Sequence, residues 1–177
     1  MLNKILNVTN KELDSININF KIDNIDNYFY LESGREHYRL LMYISTLFDR
    51  QTLFDIGTYT GLSALALSYN KNIRVKSYDI RRTNINKKWN IKYIIGNILQ
   101  DKNLRYSPFI LLDTEHDGIF ENEFYNHLIK IGYKGLLMLD DIFLNDEMRE
   151  FWNGIKRDKY DLTNKGHFTG TGLINFK

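Results

Sequence analysis

The chain contains no cysteine, which excludes disulfides and any thiolate metal site. It has one proline, Pro108, and no proline-rich linker, internal repeat or low-complexity block that would mark a domain boundary. No window approaches the roughly eighteen apolar residues of a membrane span. The start Met1-Leu2-Asn3-Lys4 lacks the apolar region of an export signal, so a cytoplasmic location without membrane contact is expected. An excess of charge of one sign is also missing: the formal net charge is +2, and no long basic run with interleaved aromatics is present to follow a nucleic-acid backbone. Large nucleic acids are therefore not expected as partners.

What is present suits a single domain spanning 1–177. Of the 177 residues, 43% are hydrophobic, enough for a core of its own. Apolar, β-branched runs at Thr52–Ile56, Ile73–Tyr78, Ile91–Ile95, Phe109–Leu112 and Leu136–Leu139 read as five strands buried on both faces. Helical patterns cover Arg35–Phe48, Phe120–Ile131 and Asn145–Lys156, the last with Asn145 as N-cap and Asp146 and Glu147 in its first turn. Strands alternating with helices predict an α/β, Rossmann-like, doubly wound sheet. Two further strands, Tyr160–Thr163 and Leu173–Phe176, would close it as an antiparallel terminal hairpin, making seven strands in a mostly parallel sheet. Residues 35–177 then form the core. Residues 1–34, with a polar, Asn-rich and aromatic stretch at Asn17–Tyr30, serve as a cover or as an oligomer contact, and the second use implies a homodimer.

The segment Leu53-Phe54-Asp55-Ile56-Gly57-Thr58-Tyr59-Thr60-Gly61-Leu62-Ser63-Ala64 compresses a buried strand, a glycine turn and a helix start. Its Asp-x-Gly-x-x-x-Gly pattern lacks the third glycine of the dinucleotide fingerprint, whose helix N-terminus receives a pyrophosphate. Asp55 at the strand end would instead meet a cationic ligand. S-adenosylmethionine, with an ammonium, a sulfonium and no phosphate, fits that requirement. Asp55, Gly57, Thr58, Tyr59, Gly61 and Ser63 are the expected contacts.

Ligands of open α/β sheets sit at the carboxyl ends of the strands, so the residues there are read together. Asp79 follows the second strand at about the 20-residue offset from Gly57 at which a carboxylate reaches ribose hydroxyls. Asn97 follows the third, placed for an adenine edge or, equally, as a turn former. Asp113 closes the fourth, and Asp140 and Asp141 the fifth.

With these residues the chain resembles class I S-adenosylmethionine-dependent methyltransferases over residues 35 to 177. Asp55-Ile56-Gly57-Thr58-Tyr59-Thr60-Gly61 stands as their first motif, Asp79 as their second, and the terminal hairpin agrees with their antiparallel last strand. Within the class it is most similar to metal-dependent O-methyltransferases of the catechol type and, above all, of the type acting on sugar hydroxyls of macrolides. That similarity rests on Leu111-Leu112-Asp113-Thr114-Glu115-His116 and Leu137-Met138-Leu139-Asp140-Asp141-Ile142. The catechol group usually has Asp-Asn where this chain has Asp140-Asp141, which favours the sugar group.

The resemblance implies a metal and base centre. Attack by an alcohol on a sulfonium methyl needs the hydroxyl proton weakened or removed, and a divalent cation with a neighbouring base accomplishes both. Asp113, Asp140 and Asp141 would hold Mg²⁺ or another divalent cation, with Asp113 also touching the cofactor. His116, with an unperturbed pKa of about 6.5, would be the base, and Asp113 would share its catalytic role. The acceptor would be a small polar molecule, a sugar hydroxyl in particular. Each residue also has a plainer reading: a strand-end Asp caps a loop, and an acidic pair solvates a helix entry. His167, in the glycine loop Gly166-His167-Phe168-Thr169-Gly170-Thr171-Gly172, could approach the same rim but reads first as a surface or turn histidine. His37 and His127 read as structural residues of helices, and Glu32-Ser33-Gly34-Arg35 as a cover for the methionine end of the cofactor or an ordinary helix start. A metal-independent methyltransferase and a non-catalytic cofactor-binding module or subunit are the alternatives to a metal-dependent enzyme.

Overall fold

Side-chain alternation along the strands sorts the core into two halves, and both are covered. In the computed structural model, which describes residues 1–20, 27–81 and 88–177, Leu53, Val75, Phe109, Leu111, Leu136, Met138 and Leu173 face one way. Phe54, Ile56, Tyr78, Ile110, Leu112, Leu137, Leu139 and Ile174 face the other. The period of two in a strand places successive side chains on opposite faces, and apolar residues at both parities force helices onto both faces.

The strands are β1 (Thr52–Ile56), β2 (Arg74–Asp79), β3 (Ile91–Ile95), β4 (Phe109–Leu112), β5 (Leu136–Asp140), β6 (Lys159–Asp161) and β7 (Thr171–Asn175). They form one sheet in the order β3-β2-β1-β4-β5-β7-β6. β7 pairs antiparallel with both β5 and β6, and the other pairings are parallel. The predicted seven-stranded, mostly parallel sheet with its terminal hairpin is the one observed. β7 starts earlier than its apolar run suggests because Thr171 pairs with Asp140. β6 ends at Asp161, whose Oδ1 accepts from the Thr163 backbone N–H and turns the chain.

Helices α1 (Leu2–Asn7), α2 (Asn10–Asp14), α3 (Tyr38–Thr46) and α4 (Leu62–Leu67) cover the first face. All six residues of α4 are buried, as expected of a helix enclosed by the sheet and α3. The N-terminal segment adds Ile5, Val8, Leu13 and Phe29 to this core. Within the stretch Asn17–Tyr30, residues 21–26 lie outside the described residues. Phe29 stacks on Tyr38 at 5.1 Å.

Helices α5 (Ile119–Lys130) and α6 (Asp146–Gly154) cover the second face. Asn145 caps α6 as expected, its Oδ1 accepting from the Met148 N–H at 2.8 Å. α3 is shorter than its hydrophobic pattern because the chain before Tyr38 is held elsewhere. Ser33 N–H donates to Asp14 Oδ1 at 2.9 Å, and Gly34, at φ +84°, packs against the Asn164 carbonyl.

The order reverses between β1 and β4, so their carboxyl ends open a crevice at that switch point. The candidate residues gather there.

Candidate active site

The glycine turn after β1 is folded back on the neighbouring strands. Gly57 and Thr58 N–H groups donate to the Tyr78 carbonyl at 2.9 and 3.2 Å, and Gly61 N–H donates to the Thr58 carbonyl at 2.6 Å. Gly57 (φ +96°) and Gly61 (φ +81°) occupy the left-handed region that favours glycine. Asp79 fastens the turn from β2: Oδ2 accepts from Tyr59 N–H at 3.0 Å and Oδ1 from Arg81 N–H at 2.9 Å. Each carboxylate oxygen retains a second lone pair for a ligand hydroxyl. Tyr59 and Ile80, which flank Asp79, are among the most exposed apolar side chains and offer a surface for a planar ring.

Asp55 lies beneath this turn rather than in the crevice. Its side chain is on the first face and wholly buried. Ser77 Oγ donates to Asp55 Oδ2 at 2.5 Å, and Ser77 Oγ lies 2.6 Å from Thr58 Oγ1. Ser63 also bonds to it from α4. Burial pushes the Asp55 carboxyl up to about 7, against the hydrogen bonds from Ser77 and Ser63. Asp55 and Ser63 thus brace the turn from below, and the carboxylate meets the crevice only through Ser77 and Thr58. Asn97 shows its turn-forming use: Oδ1 accepts from Leu99 N–H at 2.9 Å and caps a short 3-10 turn, Ile98–Gln100.

Across the switch point, four segments converge on one cluster. The residues leading into α3 bring Glu36 and His37, the β4 end brings Asp113 and His116, the β5 end brings Asp140 and Asp141, and the loop before β7 brings His167 and Thr169. His37 Nδ1 lies 3.2 Å from Asp140 Oδ1, and His167 Nδ1 lies 3.4 Å from Asp140 Oδ2 and 2.9 Å from Asp141 Oδ1. His167 Nε2 is 3.5 Å from Glu36 Oε1. His116 Nε2 faces Asp113 Oδ1 at 3.3 Å and Asp141 Oδ2 at 3.6 Å. Thr169 Oγ1 donates to Asp141 Oδ1 and sits 2.9 Å from His167 Nδ1.

Two sequence readings change here. His167 is a member of the cluster rather than a surface or turn histidine, because β6 runs parallel to β5 and its following loop returns over the β5 carboxyl end. His37 is the N-cap residue of α3, yet its buried ring is committed to Asp140 instead of to helix packing alone. Glu36 was not anticipated at all. Its signal in the sequence is slight: Glu36-His37 is a polar pair abutting an apolar helical run.

The loops that carry the cluster are held in tension. His116 and Asp141 both have φ +57°, and Tyr59 has φ +40°. Such backbone costs on the order of 1–3 kcal/mol per residue and persists where the surroundings fix it. For His116 the fixing groups are visible. Glu121 of α5, itself 1% exposed, accepts from His116 N–H at 3.1 Å and from Thr114 Oγ1 at 2.6 Å. Asn145 Nδ2 donates to the His116 carbonyl at 2.8 Å.

Electrostatically the cluster contains four carboxylates and three imidazoles. Burial works against the charged form of His37 and of His167, but the carboxylates around them, Asp140 foremost, together outweigh it, raising His37 to about 9 and His167 to about 10. His116 is also raised, burial being outweighed by Asp113 and Asp141. Asp113 is pushed up by burial and by the charge of Asp140, whereas Asp140 is driven well below the usual carboxylate range by His37 and His167 despite its own burial. The imidazoles thus set positive charge among the carboxylates, the role that a divalent cation would fill. Two nitrogens in the cluster, His37 Nε2 and His116 Nε2, are buried without a hydrogen-bond partner among the described residues.

These observations fit a cation. Three groups of potential ligand atoms lie within 4.8 Å of one another: Glu36, His37 and His167; His37, Asp113 and Asp140; and His116, Asp140 and Asp141. The expected trio of Asp113, Asp140 and Asp141 is divided between the last two, with Asp140 common to both. Among the described residues, no helix is long and apolar enough to cross a membrane.

No family model matches the chain, and no curated protein matches it. Solved structures do. The chain is similar to the S-adenosylhomocysteine-bound methyltransferase PaMTH1 of Podospora anserina (TM-score 0.57, 16% identity, 79% of this chain and 77% of that one). It is similar to a Staphylococcus aureus protein provisionally named a caffeoyl-CoA O-methyltransferase (TM-score 0.58, 12% identity, 88% and 86%). The O-methyltransferase TomG of Streptomyces achromogenes, involved in tomaymycin synthesis and solved with S-adenosylmethionine, also matches (TM-score 0.53, 14% identity, 78% and 78%). At these identities the likeness is one of fold.

Proposed function

We propose that this chain, which has the fold of the class I S-adenosylmethionine-dependent methyltransferases, is an O-methyltransferase that uses a divalent cation and acts on a hydroxyl of a small polar acceptor, a sugar or nucleotide sugar being the preferred class. The observation that carries the proposal is the convergence of Asp113, His116, Asp140 and Asp141 on the β4 and β5 ends, beside the Gly57 turn.

The residues divide the work. Asp79 would accept hydrogen bonds from the ribose hydroxyls, with Tyr59 and Ile80 flanking the adenine. Gly57, Thr58 and Gly61 let the turn approach the methionine half of the cofactor, and Asp55 and Ser63 hold that turn in place. Asp140, with Asp113 and Asp141, would hold the cation, whose contribution when bound is to lower the pKa of an acceptor hydroxyl. His116 is placed to accept the hydroxyl proton, with Asp113 at 3.3 Å able to stabilise the imidazolium that results. The exposed ring of Phe168, edge-on to His167 at 4.8 Å, offers an apolar wall next to the cluster for the carbon face of an acceptor.

Asp113 and Asp141 raise the His116 pKa, and a cation held among those carboxylates would oppose that shift and favour the neutral, proton-accepting imidazole. This favours the cation-dependent reading over a metal-independent one. The test is S-adenosylhomocysteine formation from a panel of nucleotide sugars and phenols. Activity should vanish in excess EDTA and return with added divalent cation; full turnover in the chelator would overturn the cation. Binding of S-adenosylmethionine with no turnover on any acceptor would support a cofactor-binding module instead.

A further inference from the structure

Among the described residues, each group of ligand atoms that the cluster brings together contains an imidazole. Mg²⁺ demands an oxygen shell of near-octahedral geometry and dehydrates reluctantly, whereas imidazole nitrogen suits zinc, iron, nickel and their neighbours. The chemistry of the donors therefore points away from the ion first expected.

His37 is the residue on which this turns. It is 2% exposed, and its Nδ1 lies 3.2 Å from Asp140 Oδ1. Nitrogen and oxygen ligands at about 2.0–2.2 Å from one ion stand about 3 Å apart, so Nδ1, with its proton lost, and Asp140 Oδ1 are spaced to bind one cation between them. Nε2 of the same buried ring has no hydrogen-bond partner among the described residues, which leaves Asp140 as the group that orients the ring. A ring nitrogen of His37 also lies within 4.8 Å of ligand oxygens of both Asp113 and Asp140. The three residues sit at the N-cap of α3, just past β4 and at the end of β5, elements whose packing in the first-face core and the sheet fixes their spacing.

We propose that His37 is a nitrogen ligand, together with Asp113 and Asp140, to a divalent first-row transition cation such as Mn²⁺, Co²⁺ or Zn²⁺, and that the site prefers such ions to Mg²⁺. The inference rests on the reading that the cluster holds a cation. It leaves His116, at the mouth of the cluster, as the group that handles the acceptor proton.

The experiment uses the full chain stripped with chelator and titrated with CoCl₂, the visible absorption of Co²⁺ reporting its ligands, with MgCl₂ as competitor. Co²⁺ should bind at least about 10-fold more tightly than Mg²⁺. His37→Ala and His37→Gln should each weaken Co²⁺ by more than about 10-fold and alter its spectrum, with Mg²⁺ affinity changed by less than about 2-fold. Melting curves report whether each variant is folded, and the ion competition on the unmodified chain stands without any variant. Equal affinity for the two ions overturns the preference. Unchanged Co²⁺ affinity and spectrum in both His37 variants, with both lost in Asp113→Asn, overturns His37 as a ligand and leaves the cation reading standing. Absence of any Co²⁺ or Mg²⁺ binding to the unmodified chain overturns both.

Discussion

Gly57 approaches Asp113 so closely that a methyl group on its Cα would lie 1.5 Å from the Asp113 carbonyl oxygen. The Asp113 N–H donates to the Ile56 carbonyl at 2.9 Å just before this contact. The two halves of the crevice, the glycine turn and the acidic cluster, are therefore joined backbone to backbone. Neither can shift without moving the other.

Gly57→Ala should consequently disturb both. A Cβ cannot be accommodated against a backbone carbonyl by rotating a side chain, and φ +96° adds strain for any residue with a Cβ. We expect a loss of more than about 2 kcal/mol in stability, measured by denaturant titration, and no detectable S-adenosylmethionine binding by calorimetry in whatever fraction remains folded. Stability and affinity equal to the unmodified chain would show that the β1 and β4 ends are not locked together.

Asp79→Ala separates the cofactor from the fold. The side chain is partly exposed and holds two backbone N–H groups of the turns around it. Removing it should weaken S-adenosylmethionine binding by about 10-fold or more, since a hydrogen bond to a charged group contributes about 1.5–3 kcal/mol. The melting temperature should move by only a few degrees. An unchanged dissociation constant would take Asp79 out of the cofactor site.

Glu121 offers a test of the loop that carries His116. Glu121→Ala removes the acceptor shared by Thr114 Oγ1 and His116 N–H, and Glu121→Gln retains one. Because misplacement of about 1 Å can cost about 100-fold in rate, the alanine variant should lose turnover on that scale with cofactor affinity intact, and the glutamine variant should recover most of it. Equal turnover in all three chains would mean that His116 is positioned without Glu121.

Asp55 gives the fold a pH dependence. Its carboxyl is raised to about 7 by burial, above the unfolded value of about 3.9. The stability it contributes is fully present below pH 4, declines as pH rises toward 7 and is lost above that. Asp55→Asn, neutral at every pH, should follow the unmodified chain at low pH and exceed it at pH 8 by at least about 1 kcal/mol, or roughly 2–4 °C in melting temperature. A difference in stability that does not vary between pH 5 and 8 would rule out a raised Asp55.

The centre of the sheet was legible in the sequence because β1, β4 and β5 are buried on both faces. β1, β3 and β4 coincide with their apolar runs, and Gly57 and Gly61 announce the turn by their spacing. The carboxylates at the strand ends followed from topology alone. What topology did not reveal was which other side chains reach them. His37 and Glu36 lie about 100 residues before Asp140 in sequence, and nothing local to α3 says that the residues leading into it meet β5. For His167 the approach to the rim stood second to a plain turn for a different reason. A histidine among glycines resembles any turn, and only the direction of β6 relative to β5 carries its loop over the carboxyl edge. Asp55 was legible as a motif but not as a brace, since its burial depends on Ser77 and Ser63 arriving from neighbouring elements.

The terminal hairpin also bears on the order in which the molecule comes together. The His37–Asp140 contact spans 103 positions, and the loop before β7 must lie over β5 before His167 and Thr169 can join it. Contacts that close such long loops form late in folding, after local helices and the central strands have paired. We expect a refolding chain to acquire its β1–β4 sheet first and its capacity to bind a cation last, so that cation binding would report completion of the fold.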